Sequence, residues 1–130
     1  MDIPAHLPHR CPLLLVDRIL EREPGVRVVA EKLVTGDLPR SRGEAGLPGI
    51  LLLEMLAQAG GFLETDSLHG AGIFLAGVRD ARFPAPARPG DRLRLEVAPE
   101  GAFAGLMKLR GAVSCEGREL CTASLLVKRL

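Results

Sequence analysis

From Ile50 to Leu63 the chain reads ILLLEMLAQAGGFL, a run in which Glu54 and Gln58 are the only polar side chains. Leu, Met, Ala and Gln favour helix, and Pro48-Gly49 just before them suits a helix entry, where a missing N–H costs nothing. The run is apolar all round, the pattern of a helix enclosed by the rest of its fold. It is too short to cross a bilayer, which takes about 20 residues. The helical stretch is predicted within Leu47–Leu68, with His69-Gly70-Ala71-Gly72 as its stop and Gly in the position of a left-handed cap.

The remaining apolar positions repeat with a period of two. Leu93, Leu95 and Val97 alternate with Arg92, Arg94 and Glu96, and Met107, Leu109 and Val113 alternate with Lys108 and Arg110. Such strands turn one face to a core and one to water. LLLVDRILERE, Val26–Gly36 and the buried-looking GIFLAGV add three more strand-like stretches. Pro24-Gly25 makes a turn, GDLPRSRGEAG a loop leading to the helix, and ARFPAPARPGD a proline-rich connection. Glu116-Gly117 is a two-residue hairpin turn that pairs CTASLLVKRL back and sets Cys115 opposite Arg118, out of reach of Cys121. Residues 1–12, with three prolines and two histidines, form an irregular lead-in. One long buried helix and about six strands, the later ones antiparallel, predict an α+β domain over residues 1–130. Its sheet curls around the helix in the hot-dog arrangement.

Composition narrows the function. At 47% hydrophobic the chain holds enough apolar surface for one core, and a formal charge of +1 creates no global field toward nucleic acid or a membrane. Four Phe and no Trp or Tyr leave no stacking platform for single-stranded nucleic acid. The N-terminal stretch lacks a basic n-region and a small-residue cleavage site, which reads as a cytoplasmic protein. Cys11, Cys115 and Cys121 lack metal-ligand spacing and fit buried, reduced thiols. Neither a metal nor a cofactor is expected.

Glu54 and Gln58 stand four residues apart and so share one helix face. A carboxyl taken into the core costs free energy unless it is bonded, so a Glu in such a run serves either a structural bond or chemistry. Spacing alone leaves both open. Residues 79–94 hold Arg79, Arg82, Arg88, Arg92 and Arg94 against Asp80 and Asp91, a local excess of three positive charges in an otherwise balanced chain. Such a patch can steer an acidic partner, and each arginine can equally be an ordinary solvated residue.

Three blocks, LPHRCPLLLVDRI at 7–19, LPGILLLEMLAQAGG at 47–61 and FLAGVRDARFPAPARPGDRLRLEV at 74–97, resemble the 3-hydroxyacyl-acyl-carrier-protein dehydratases of bacterial fatty acid synthesis. The resemblance implies a homodimer, with a trimer of dimers as the larger assembly. It also implies a tunnel at the dimer interface for an acyl chain carried as a thioester on acyl carrier protein or coenzyme A. Glu54 falls at the family's catalytic acid, and Gly49 at the helix-entry glycine whose backbone N–H meets the thioester carbonyl. Gln58 matches a helix residue that supports the carboxylate's surroundings. The arginines would meet the acidic carrier. His9 matches a motif histidine that active members carry besides the catalytic one, and reads as an anchor of the N-terminal segment.

One departure is chemically specific. The family's catalytic histidine lies before the helix, and an ungapped count back from Pro48-Gly49 puts Arg40 in its place, with no histidine between His9 and His69. Arginine stays protonated and cannot serve as base. If Arg40 faces Glu54, it holds the carboxylate ionised and weakens it as an acid. Three functions follow: a lyase or hydratase rebuilt around Glu54, a thioesterase using Glu54 with the helix N–H groups, or a non-catalytic acyl-carrier-binding or partner subunit.

Overall fold

In the computed structural model residues 15–36, 46–63 and 73–129 are described. The lead-in with His6, His9 and Cys11, the loop with Arg40, Ser41 and Glu44, and the His69–Gly72 stop lie outside them. In chain order the elements are β1 Arg18–Glu23, β2 Arg27–Leu33, α1 Gly49–Gly60 with a 3-10 turn Gly61–Leu63, β3 Ile73–Arg82, β4 Arg92–Phe103, β5 Leu106–Cys115 and β6 Arg118–Arg129. The strands form a sheet in the order β1-β2-β4-β5-β6-β3, with every neighbouring pair antiparallel.

The alternating residues do what their period dictates. Leu93, Leu95 and Val97 of β4, Leu109 and Val113 of β5, and Ala123, Leu125 and Val127 of β6 all point into the core. The helix packs against β2, β3, β4, β5 and β6, so the sheet curls around it as the hot-dog arrangement requires. Both hairpins among β4, β5 and β6 turn through two residues of positive φ, Ala104-Gly105 and Glu116-Gly117, whose backbone twist matches that of the flanking strands. Cys115 pairs with Arg118 and Cys121 with Val113, the predicted register, and both thiols are free and buried.

Two expectations need correction. The helix is not enclosed on every side: in its first turn Ile50 is 60% exposed and Leu51 half-buried, while Gly49 and Leu52 line an open groove beside residues 83–86. Regular helix also ends earlier than Leu68. At Gly60-Gly61, two poor helix formers, it tightens into the 3-10 turn, and Gly61 keeps a right-handed φ of −60°. The carbonyls there are taken by the β1–β2 hairpin, with Gly25 N–H donating to Leu63 O at 2.6 Å and Arg22 Nε to Phe62 O at 2.7 Å.

Candidate functional site

The helix starts at Gly49 with Pro48 as its cap residue, which makes no side-chain cap hydrogen bond, and its first turn carries no acidic residue. Helix geometry leaves the first N–H groups without intrahelical acceptors, and the macrodipole adds a partial positive charge there. Beside this end lies a groove of about 410 Å³ lined by Leu47, Gly49, Leu52 and the Phe83–Pro86 stretch, none of which can ionise. The Phe83 ring lies against Gly49, where an added Cβ would sit 2.8 Å from its Cε1 and 2.9 Å from its Cζ. Glycine is what lets the ring approach. The backbone holds the two sides together, with Leu47 N–H donating to Ala87 O at 2.9 Å.

Glu54 lies on the same helix about 7–8 Å further along its axis. It is half-buried, so the full desolvation that the apolar run suggested does not occur. Gln58, one turn on, is buried to 1% exposure, and its Oε1 accepts the Leu15 backbone N–H at 2.7 Å. The four-residue spacing does bring the pair to one face. Gln58 also has a partner that sequence could not name, the strap Leu15–Asp17. Leu15 and Val16 are buried in the core, while Asp17 accepts Leu33 N–H at 2.7 Å and meets Lys32 Nζ at 3.1 Å.

The arginines of residues 79–94 do not converge. Arg79 and Arg82 lie on β3, whereas Arg92 and Arg94 lie on β4, and β5 and β6 stand between. That is roughly 14 Å across the sheet. Arg92 Nη1 pairs with Glu31 Oε2 at 3.2 Å, and Arg88 N–H donates to Asp91 Oδ2 within its own turn. Register groups Arg79 and Arg82 with other cations instead. Arg79 stands opposite Ser124 and Arg82 opposite Thr122 on β6, and Ser124 pairs on its other side with Arg110 of β5, whose Nη1 lies 3.4 Å from Ser124 Oγ. Lys108, on the same face, bonds Glu100 at 3.1 Å. Hydrogen bonds from Lys108 and then from Ser124 hold the Glu100 carboxyl below its ordinary range. Lys108 and Arg110 are the residues sequence reading missed. The hairpin at Glu116-Gly117 does set Arg110 opposite Ser124, but nothing in the chain announces that β3 lies beside β6.

A search of known families matches residues 7–124 to the FabA-like domain. Among individual relatives, the chain is 44% identical to the 3-hydroxyacyl-[acyl-carrier-protein] dehydratase FabZ of Chloroflexus aggregans over 96% of this chain and 91% of that protein. It is 42% identical to the same-named protein of Roseiflexus castenholzii over 96% and 92%. Among solved structures, a chain of the dehydratase heterocomplex ApeI:P from Xenorhabdus doucetiae superposes with a TM-score of 0.81 at 23% identity, covering 100% of this chain and 91% of that one. A hypothetical thioesterase from Streptococcus pneumoniae, solved with coenzyme A, superposes with a TM-score of 0.68 at 15% identity over 87% and 84%. At these identities the structural matches speak for the fold alone.

Proposed function

The chain belongs to the FabA-like family, and from that membership we propose that it binds 3-hydroxyacyl and 2-enoyl thioesters, presented on acyl carrier protein or coenzyme A, in a dehydratase-type site built on Gly49 and Glu54. The observation that carries this reading is the helix start at Gly49, behind a proline that offers no side-chain cap, beside an apolar groove, with Glu54 following on the same helix. The groove suits a thioester with an apolar tail. N–H groups at the helix start meet its carbonyl oxygen and stabilise negative charge developing there. Glu54 then faces the 3-hydroxyl, as the proton donor for its departure or, in hydration, as the acceptor from incoming water.

Removal of the proton beside the carbonyl needs a base, and Arg40, at the place of the family's histidine, cannot supply one near neutral pH. In this reading the protein alone binds thioesters and does not dehydrate them at an ordinary rate. It works as a cytoplasmic homodimer, and the outward-facing Arg79, Arg82, Lys108 and Arg110 steer the acidic carrier. Binding of a crotonyl thioester, measured by calorimetry with hydration followed as loss of enoyl absorbance, is expected at micromolar affinity without turnover. Absence of binding overturns the proposal, and release of free thiol assigns the site to a thioesterase instead.

A further inference from the structure

The ladder between β4 and β5 is interrupted at one point. It runs to the pair Pro99 and Leu109 and resumes at Gly101 and Lys108, so Glu100 is an extra residue with no partner across the pair. The sequence suits a bulge there, since Pro99 has no N–H to give the ladder and Gly101 takes a φ of +140°. A bulge re-aims the side chain it carries, and this one reaches across β5 to β6. Glu100 Oε1 meets Lys108 Nζ at 3.1 Å and accepts the Ser124 hydroxyl at 3.1 Å. Arg110 Nη1 donates to the same Ser124 Oγ at 3.4 Å. Leu109 and Leu125, the chain neighbours of Arg110 and Ser124, point into the core, so the cluster lies on the face of the sheet turned away from α1. Ser124 is nevertheless only 4% exposed, beneath these charged side chains.

We propose that Lys108, Arg110 and Ser124 form a binding site for the phosphate group of a small molecule, and that the Glu100 carboxylate occupies it as an internal stand-in until such a ligand displaces it. An ammonium, a guanidinium and a hydroxyl gathered around one anionic oxygen are the donors that phosphate recognition uses. Charge favours phosphate over a second carboxylate. Lys108 and Arg110 bring two positive charges against the one negative charge of Glu100, and Arg82 stands beside them on β3, opposite Thr122 on the same face of β6. A phosphate monoester carries about 1.5 to 2 negative charges at neutral pH, which matches this set better than one carboxylate does. Glu100 is held there without being locked in. Its side chain is 33% exposed and that of Lys108 34%, and an ion pair so open to water is weak enough to exchange. The sheet separates this cluster from the groove at Gly49, so its ligand is not the thioester, and the proposal stands apart from the function given above.

Inorganic phosphate is the probe, titrated by calorimetry and by the backbone amide shifts of Lys108, Arg110 and Ser124, with chloride holding the ionic strength constant. Glu100→Ala empties the cradle, and Glu100→Gln keeps its shape and removes the charge. Adding Lys108→Met and Arg110→Met to Glu100→Ala removes the cations. Glu100→Ala should bind phosphate about tenfold more tightly than wild type, because two hydrogen bonds to a charged group are released from internal use. Glu100→Gln should fall between the two and serves if Glu100→Ala does not fold. The triple variant should lose the gain, and glycerol 3-phosphate should follow inorganic phosphate. A hexa-aspartate peptide, titrated in parallel, should gain less than about threefold from Glu100→Ala, as loss of a single exposed charge implies. Phosphate binding that is no tighter in Glu100→Ala and Glu100→Gln than in wild type overturns the proposal. So does a gain that survives in the triple variant. A gain for hexa-aspartate equal to or larger than that for phosphate also overturns it and assigns this face to an acidic protein.

Discussion

Replacing Gly111 with alanine tests how closely the helix sits on the sheet. Gly111 lies on the inner face of β5, between Val97 of β4 and Ala123 of β6. A Cβ there would fall 2.8 Å from Leu56 Cδ1, 3.2 Å from Cδ2 and 3.3 Å from Cγ. Leu56 is fully buried, so its side chain has no solvent to move into. Relief requires a non-rotameric Leu56 or a lifted helix, and overpacking of this kind costs about 1–3 kcal/mol. Alanine returns about 0.4–1 kcal/mol by restricting the unfolded chain. The net expectation is a loss of about 1–2 kcal/mol, or roughly 4–8 °C in Tm for a chain of this size. Thermal unfolding of Gly111→Ala, Leu56→Ala and the double variant measures it. Leu56→Ala alone should cost about 2–5 kcal/mol. The double variant should fall short of the sum by roughly 1 kcal/mol or more, since the clashing atoms are gone. A Gly111→Ala protein as stable as wild type, or strictly additive effects, would refute the close approach.

Gly49→Ala meets a neighbour at the same 2.8 Å, but Phe83 is 46% exposed and can swing aside. Stability should then change by less than about 1 kcal/mol, while the displaced ring narrows the groove and thioester affinity falls severalfold by calorimetry. Lys108→Met should matter only above acid pH. Glu100 has a native pKa below its ordinary 4.5, so the stability it contributes is present above that value and is lost as pH falls toward the lowered one. Urea unfolding of wild type and Lys108→Met should therefore differ by a constant amount at neutral pH and converge below about pH 4.5. Burial pushes the Cys121 thiol up to about 11, so it should resist a disulfide-exchange reagent at pH 8 in folded protein and react at the ordinary rate once unfolded.

Much of the fold was legible because burial in a curled sheet leaves simple periods. Leu93, Leu95 and Val97 could face only one way, and the Glu116-Gly117 turn fixed how β5 meets β6. The order of strands was not legible, since β3 reaches the far edge beside β6 through contacts distant in sequence. That hid the grouping of Arg79 and Arg82 with Arg110 and made Arg92 and Arg94 look like their neighbours. The helix boundary was overrun because residues 61–63 are as apolar as those before them, while what shortens the regular helix is a glycine pair whose following carbonyls are met by Arg22 and Gly25. Glu54 and Gly49 stood out as exceptions to an apolar run and a helix-entry signal. Gln58 stood out as well, but its bond is to Leu15, 43 residues away, and no local pattern encodes it.

The most direct test of a thioester-binding, dehydratase-type site is crotonyl-thioester hydration by wild type, Arg40→His and Arg40→His/Glu54→Gln, with binding measured on the same samples. Wild type should bind without turnover, Arg40→His should hydrate the thioester, and adding Glu54→Gln should abolish that activity while leaving binding in place. Wild-type hydration that survives Glu54→Gln, or no thioester binding by any of the three proteins, would contradict the account.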